Sequence, residues 1–185
     1  MIPDTVTCIA FPRDAAGPRH DLLRAFRAGD LGAFAEVHAM VRLAVAPHAA
    51  HLFGAGTIAV AVPGHRAGSV NAPCESLSRA LAAEFPALLP GPGVLVRIRD
   101  APEAKAGHRR DPAAEAATLS WRPSLVPAGV RRVLLVDDVL RSGATLGAAW
   151  AAVPASLAGS TVALAVFHAM LAGDPAVSPA WKRGS

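Results

Sequence analysis

Residues 133–145 read VLLVDDVLRSGAT, and the fold turns on how this stretch is read. Four apolar residues lead into two adjacent acids, Asp137 and Asp138, then Val139 and Leu140, then Arg141, Ser142, Gly143, Ala144 and Thr145. An unbroken apolar run suits a strand covered on both faces. Packing has no use for neighbouring carboxylates, because like charges so close raise each other's proton affinity unless something binds them. Beyond them, Gly143 lets the backbone approach an anion, and the Ser142 and Thr145 hydroxyls can donate to its oxygens. A helix opening near Ala144 adds its first N–H groups to the same site. Acids that accept from two vicinal hydroxyls, followed by an anion loop, match a ribose bearing a 5-phosphate. Taken alone, the acid pair also fits a strand end with a helix cap.

Working outward, residues 57–63 (TIAVAVP) carry the same buried-strand signal and run into Gly64, His65 and Arg66. Further strands are expected at 5–11, 94–98 and 161–168. Helices are expected at 21–28, from a cap at Asp30 to about His48, at 73–84 with Asn71 or Ala72 near its start, and at 144–152. Asp111-Pro112 reads as a cap with proline at the first helical position. PALLPGPG, residues 86–93, reads as a turn cluster. Strands alternating with helices predict an α/β fold with a mainly parallel sheet flanked by helices, Rossmann-like. In such folds ligands gather at the C-terminal ends of strands, where both 64–66 and 137–145 fall.

The chain has 185 residues, 52% apolar and 17% charged, so one domain with a sizeable core is expected. Its net charge of +4 rests almost wholly on arginine, since only Lys105 and Lys182 are lysines. That suits phosphorylated ligands and is too weak to argue for nucleic acid by itself. Cys8 and Cys74 have no metal or redox spacing, and a reduced cytoplasmic setting is the expectation. The first residues lack the pattern of a signal peptide. Residues 142–173 contain no Asp, Glu, Lys or Arg, which is long enough to cross a bilayer. Pro154, Gly159 and neighbouring hydroxyls interrupt the stretch, so a buried helix, a turn and a buried strand are expected instead.

The stretch 133–145 resembles the phosphoribosyl-pyrophosphate (PRPP) motif of type I phosphoribosyltransferases. From about residue 20 to 168 the chain resembles the ComF-like branch, through Val62-Pro63-Gly64-His65-Arg66 after a strand and Asn71 before a helix. The resemblance implies a small N-terminal hood (1–55), a PRPP-binding core (56–172) and a flexible tail (173–185). It implies that Asp137 and Asp138 hold the ribose hydroxyls and, through Mg²⁺-PRPP, the metal. Val139, Leu140, Arg141, Ser142, Gly143, Ala144 and Thr145 would form the phosphate loop. Gly64, His65 and Arg66 would hold pyrophosphate, and the basic segment 105–110, with Lys105 and Arg109 foremost, would cover the leaving group. The implied reaction moves 5-phosphoribose to a nitrogen nucleophile with release of pyrophosphate, and the implied assembly is a homo-oligomer, a dimer.

Three features depart from the pattern. The four-cysteine zinc ribbon frequent in that branch is absent from this sequence. Arg141 stands where Thr or Ser is usual, and the basic segment lacks the usual Gln and Asn. The rival reading is a non-catalytic PRPP-sensing or competence-associated module that meets single-stranded DNA or a DNA-uptake partner through its Arg-rich segment. Residues 97–110 also read as a solvated loop. His48 and His51 read as a surface pair, and Arg24 and Arg27 as solvent-facing. The first 55 residues offer no Tyr or Trp to stack a base, only Phe11, Phe26, Phe34 and Phe53.

Overall fold

The apolar runs form the centre of a six-stranded sheet. The computed structural model describes residues 4–12, 17–102, 111–170 and 180–182. In chain order the elements are β1 (Asp4–Pro12), α1 (Pro18–Arg27), α2 (Leu31–Val45), α3 (Ala49–Leu52), β2 (Thr57–Ala61), α4 (Ala72–Glu84) and β3 (Leu88–Pro90). Then follow β4 (Leu95–Arg97), α5 (Pro112–Ala116), β5 (Leu119–Trp121), β6 (Arg132–Leu140), α6 (Ala144–Ala151), α7 (Ala155–Ala158), β7 (Val162–Met170) and β8 (Ala180–Lys182).

The main sheet runs β3-β2-β6-β7-β1-β8. Its first five strands are parallel, and β8 joins β1 antiparallel. Alternating side chains split the core into two layers, because successive residues of a strand face opposite sides. Ala59, Ala61, Leu134 and Val136 pack with α1, α2 and α4. Ile58, Val60, Val133 and Leu135 pack with α6 and with the small β4–β5 ribbon. Helices on both faces of a parallel sheet are what the uninterrupted apolar strands require.

The caps behave as their residue types predict. Asp30 accepts from the Ala33 N–H at 2.7 Å, and Asp111 from the Ala113 N–H at 2.9 Å. The Asn71 side chain accepts from the Cys74 N–H at 3.4 Å to open α4.

Residues 4–12 form β1 of the main sheet, in keeping with the strand expected at 5–11. Three expectations need correction. The segment read as a turn cluster contains β3, an edge strand whose Pro90 lacks only an edge N–H. The strand near 94–98 pairs antiparallel with β5 in its own ribbon, outside the parallel sheet. The tail contains β8, which closes the edge of β1. Among the described residues no helix is long and apolar enough to cross a membrane.

Candidate functional site

The sheet reverses its winding between β2 and β6. From β2 the chain crosses through α4 to β3 on one side, and from β6 it crosses through α6 to β7 on the other. Such a switch point opens a crevice at the strand C-termini. The Val62 N–H donates to the Val136 carbonyl at 2.8 Å, so the residues after β2 lie beside the acid pair.

Asp137 is buried, with 6% of its surface exposed, and its Oδ1 accepts from the Asp138 N–H at 2.9 Å. Burial, with the neighbouring Asp138 charge second, pushes its carboxyl well above the usual range. Asp138 is half-buried and pairs with Arg27, whose Nε donates to Oδ2 at 2.5 Å. Burial opposes the Arg27 charge, but the hydrogen bond and charge of Asp138 outweigh it and hold the guanidinium above its ordinary value. Arg27 is exposed, as expected from its helix, and its guanidinium also belongs to the site through this pair with Asp138. Arg24, one turn away, is exposed and pairs with Asp21, at 3.6 Å. Cys74, in the first turn of α4, is buried beneath the same acids; desolvation, then the Asp138 and Asp137 charges, keeps its thiol neutral.

The loop after β6 is shorter than its sequence suggests. β6 continues through the acids to Leu140, and the Val139 and Leu140 side chains pack with the two core layers. Arg141 and Ser142 are exposed, and Gly143 caps α6 with φ 76°. That left-handed conformation is open to glycine and costly with a Cβ. Gly143→Ala should lower stability by about 1 kcal/mol, a fall of about 2–4 °C in melting temperature, measurable by calorimetry. The α6 ladder begins with the Gly147 N–H donating to the Gly143 carbonyl at 2.7 Å. The N–H groups of 143–146 therefore lie outside that ladder, although the Ala144 N–H leans on Ser142 Oγ at 3.4 Å. With the positive end of the helix dipole, they make the Ser142–Thr145 segment suited to an anion.

Gly64 lies in a close approach: a Cβ there would stand 2.9 Å from Ser69 Oγ. His65 and Arg66 are exposed on the turn that follows. The turn is tied to residues 97–101. The Ala101 N–H donates to the His65 carbonyl at 2.7 Å, the Ala67 N–H to Asp100 Oδ1 at 2.7 Å and the Gly68 N–H to the Arg97 carbonyl at 2.8 Å. The strand ends thus bring together Asp137, Asp138, Ser142–Thr145 and 64–66. Lys105 and Arg109 lie outside the described residues.

A scan of the chain against protein-family models finds no match, and no curated protein matches it. The reading of the site therefore rests on its geometry and residue chemistry.

Magnesium prefers oxygen donors and is usually held by one or two carboxylates together with substrate phosphates. Among the described residues no group of three or more His, Cys, Asp or Glu could hold a metal ion. Asp137 and Asp138 are the carboxylates here that could supply such oxygens, and Asp138 is already paired with Arg27.

Two residues here escape a reading of the sequence: Arg27 and Arg97. Arg27 meets Asp138 across 111 positions, and nothing local to α1 signals the contact. Arg97 did carry a signal, a lone cation inside the apolar run VLVRI. The aromatic expectation also changes. Phe11, Phe26 and Phe53 are buried in the core, so they offer no face to a base. Phe34 is half-buried between Phe26 and His38.

Proposed function

We propose that the chain binds PRPP at the β2–β6 crevice and acts as a Mg²⁺-dependent phosphoribosyltransferase. The observation that carries this reading is the meeting, at one switch point, of an acid pair, an anion-suited helix start and a glycine-led turn. The Ser142–Thr145 segment takes the 5-phosphate through N–H groups and hydroxyls. Asp137 and Asp138 accept from the ribose hydroxyls, which fixes the ring and its C1 relative to the turn. The 64–66 turn takes the pyrophosphate, with Arg66 adding charge as the leaving group gains it. Mg²⁺, when bound, neutralises phosphate charge. The C1–O bond to pyrophosphate breaks as a nitrogen lone pair forms the new C1–N bond, and the nitrogen's proton leaves to solvent.

The acceptor is better drawn as an amine than as a nucleobase, because three of the four N-terminal phenylalanines are buried and offer a base no face. That same burial favours a second reading, a PRPP sensor without turnover. Incubation with PRPP, Mg²⁺ and a panel of amines and bases tests the choice: acceptor-dependent pyrophosphate release is expected. PRPP binding with no release from any acceptor would leave the sensor.

Arg141 sits at the edge of this site. Its exposed side chain and the hydroxyls beside it argue that it points outward and takes no part in phosphate binding. Arg141→Thr should change ribose 5-phosphate affinity less than threefold by calorimetric titration. A tenfold loss, about 1.4 kcal/mol, would put the guanidinium on the phosphate.

A further inference from the structure

Arg97 lies in β4 and is 1% exposed, the largest fully buried side chain among the described residues. Its guanidinium reaches three segments at once. Nε donates to the Gly64 carbonyl, Nη1 to Thr118 Oγ1, and Nη2 lies 3.4 Å from Glu115 Oε1, with both side chains of that ion pair wholly buried. Thr118 is itself held, its hydroxyl donating to the Glu115 carbonyl at 2.6 Å. The main chain of Arg97 acts on the same turn: its carbonyl accepts from the Gly68 N–H at 2.8 Å. One residue therefore grips both ends of the 64–68 turn.

This arrangement is hard to explain as a stability device. Two charges taken from water lose solvation that their attraction barely returns, and apolar replacements of similar volume are often as stable. Its geometric consequence is specific. With the Gly64 carbonyl held on Arg97 Nε and the Gly68 N–H held on the Arg97 carbonyl, the 64–68 turn is fixed against β4. A lysine offers a single ammonium point in place of this fork and cannot serve Gly64, Thr118 and Glu115 together.

We propose that Arg97 is a positioning residue that holds the 64–66 turn in the place where it meets the diphosphate half of an anionic ligand. The proposal rests on the PRPP reading of the crevice. Two variants test it, each titrated separately with ribose 5-phosphate and with magnesium pyrophosphate. The double variant Arg97→Met with Glu115→Met removes both buried charges together, while Arg97→Lys keeps the pair with Glu115 and removes the fork.

Each variant should weaken pyrophosphate binding at least tenfold and leave ribose 5-phosphate affinity within threefold of the unaltered protein. Equal loss of both ligands, or no loss of either, overturns the positioning role alone. An Arg97→Lys chain that does not fold overturns it too, by showing a purely structural residue. Unaltered protein that binds ribose 5-phosphate and ignores pyrophosphate also overturns it while sparing the phosphate site. Unaltered protein that binds neither overturns the crevice reading together with this one.

Discussion

Asp137→Asn should make the protein more stable at pH 7 and a poorer binder of PRPP. The carboxyl is buried beside Asp138, and burial first, then that neighbour, raises its proton affinity. The sign follows from linkage. A carboxyl whose folded pKa lies above its unfolded value, about 3.9, binds its proton more tightly in the folded protein. The stability it contributes is fully present below that unfolded value and is lost as pH rises through the raised one. Asparagine keeps the shape and an Oδ1 that can accept from the Asp138 N–H, and it has no charge to bury. The melting temperature of Asp137→Asn should therefore exceed that of the unaltered protein by a margin that widens from pH 4 to pH 8. Affinity for Mg²⁺-PRPP should fall at least tenfold, about 1.4 kcal/mol, because the charge that accepts from the ribose is gone. If binding needs Asp137 ionised, affinity in the unaltered protein should also climb with pH. A variant that gains stability and loses no affinity would reduce the acid pair to a strand terminus.

The largest loss of stability is expected from Arg97→Met alone. It leaves Glu115 charged in a buried setting, and breaking a buried pair from one side costs about 3–5 kcal/mol. For a chain of this length that is a fall of roughly 6–20 °C in melting temperature. The double variant with Glu115→Met should recover most of it, since no charge is then stranded. Denaturant titrations of the two singles and the double measure the coupling. Additive losses would show that the pair does not act as a unit.

The sheet was legible where strands are long and buried on both faces. The run 57–61 and the run 133–136 have no polar residue to set a solvent face except Thr57, so only a central position suits them. Short strands are another matter. β3, β5 and β8 have three residues each, too few for a period to show, and Pro90 lies in one of them. The site was legible in part for a related reason. Asp137, Asp138 and Gly143 lie within seven consecutive residues, so their chemistry reads from one stretch. Arg27 and Arg97 enter through tertiary contacts, and a lone cation reads as a surface residue until its partner is known. Glu115 and Gly64 lie 18 and 33 positions from Arg97, and nothing in their own patterns links them to it.

The central claim is that the β2–β6 crevice binds PRPP, and thermal unfolding with and without ligand tests it most directly. A ligand that binds only the folded state adds about 2.7 kcal/mol at a hundredfold excess over its dissociation constant, a rise of about 5–11 °C here. PRPP with Mg²⁺ should give that rise in the unaltered protein and a much smaller one at the same concentration when Asp137 and Asp138 are both changed to Asn. A melting temperature unmoved by PRPP, by ribose 5-phosphate and by nucleoside monophosphates would contradict the account.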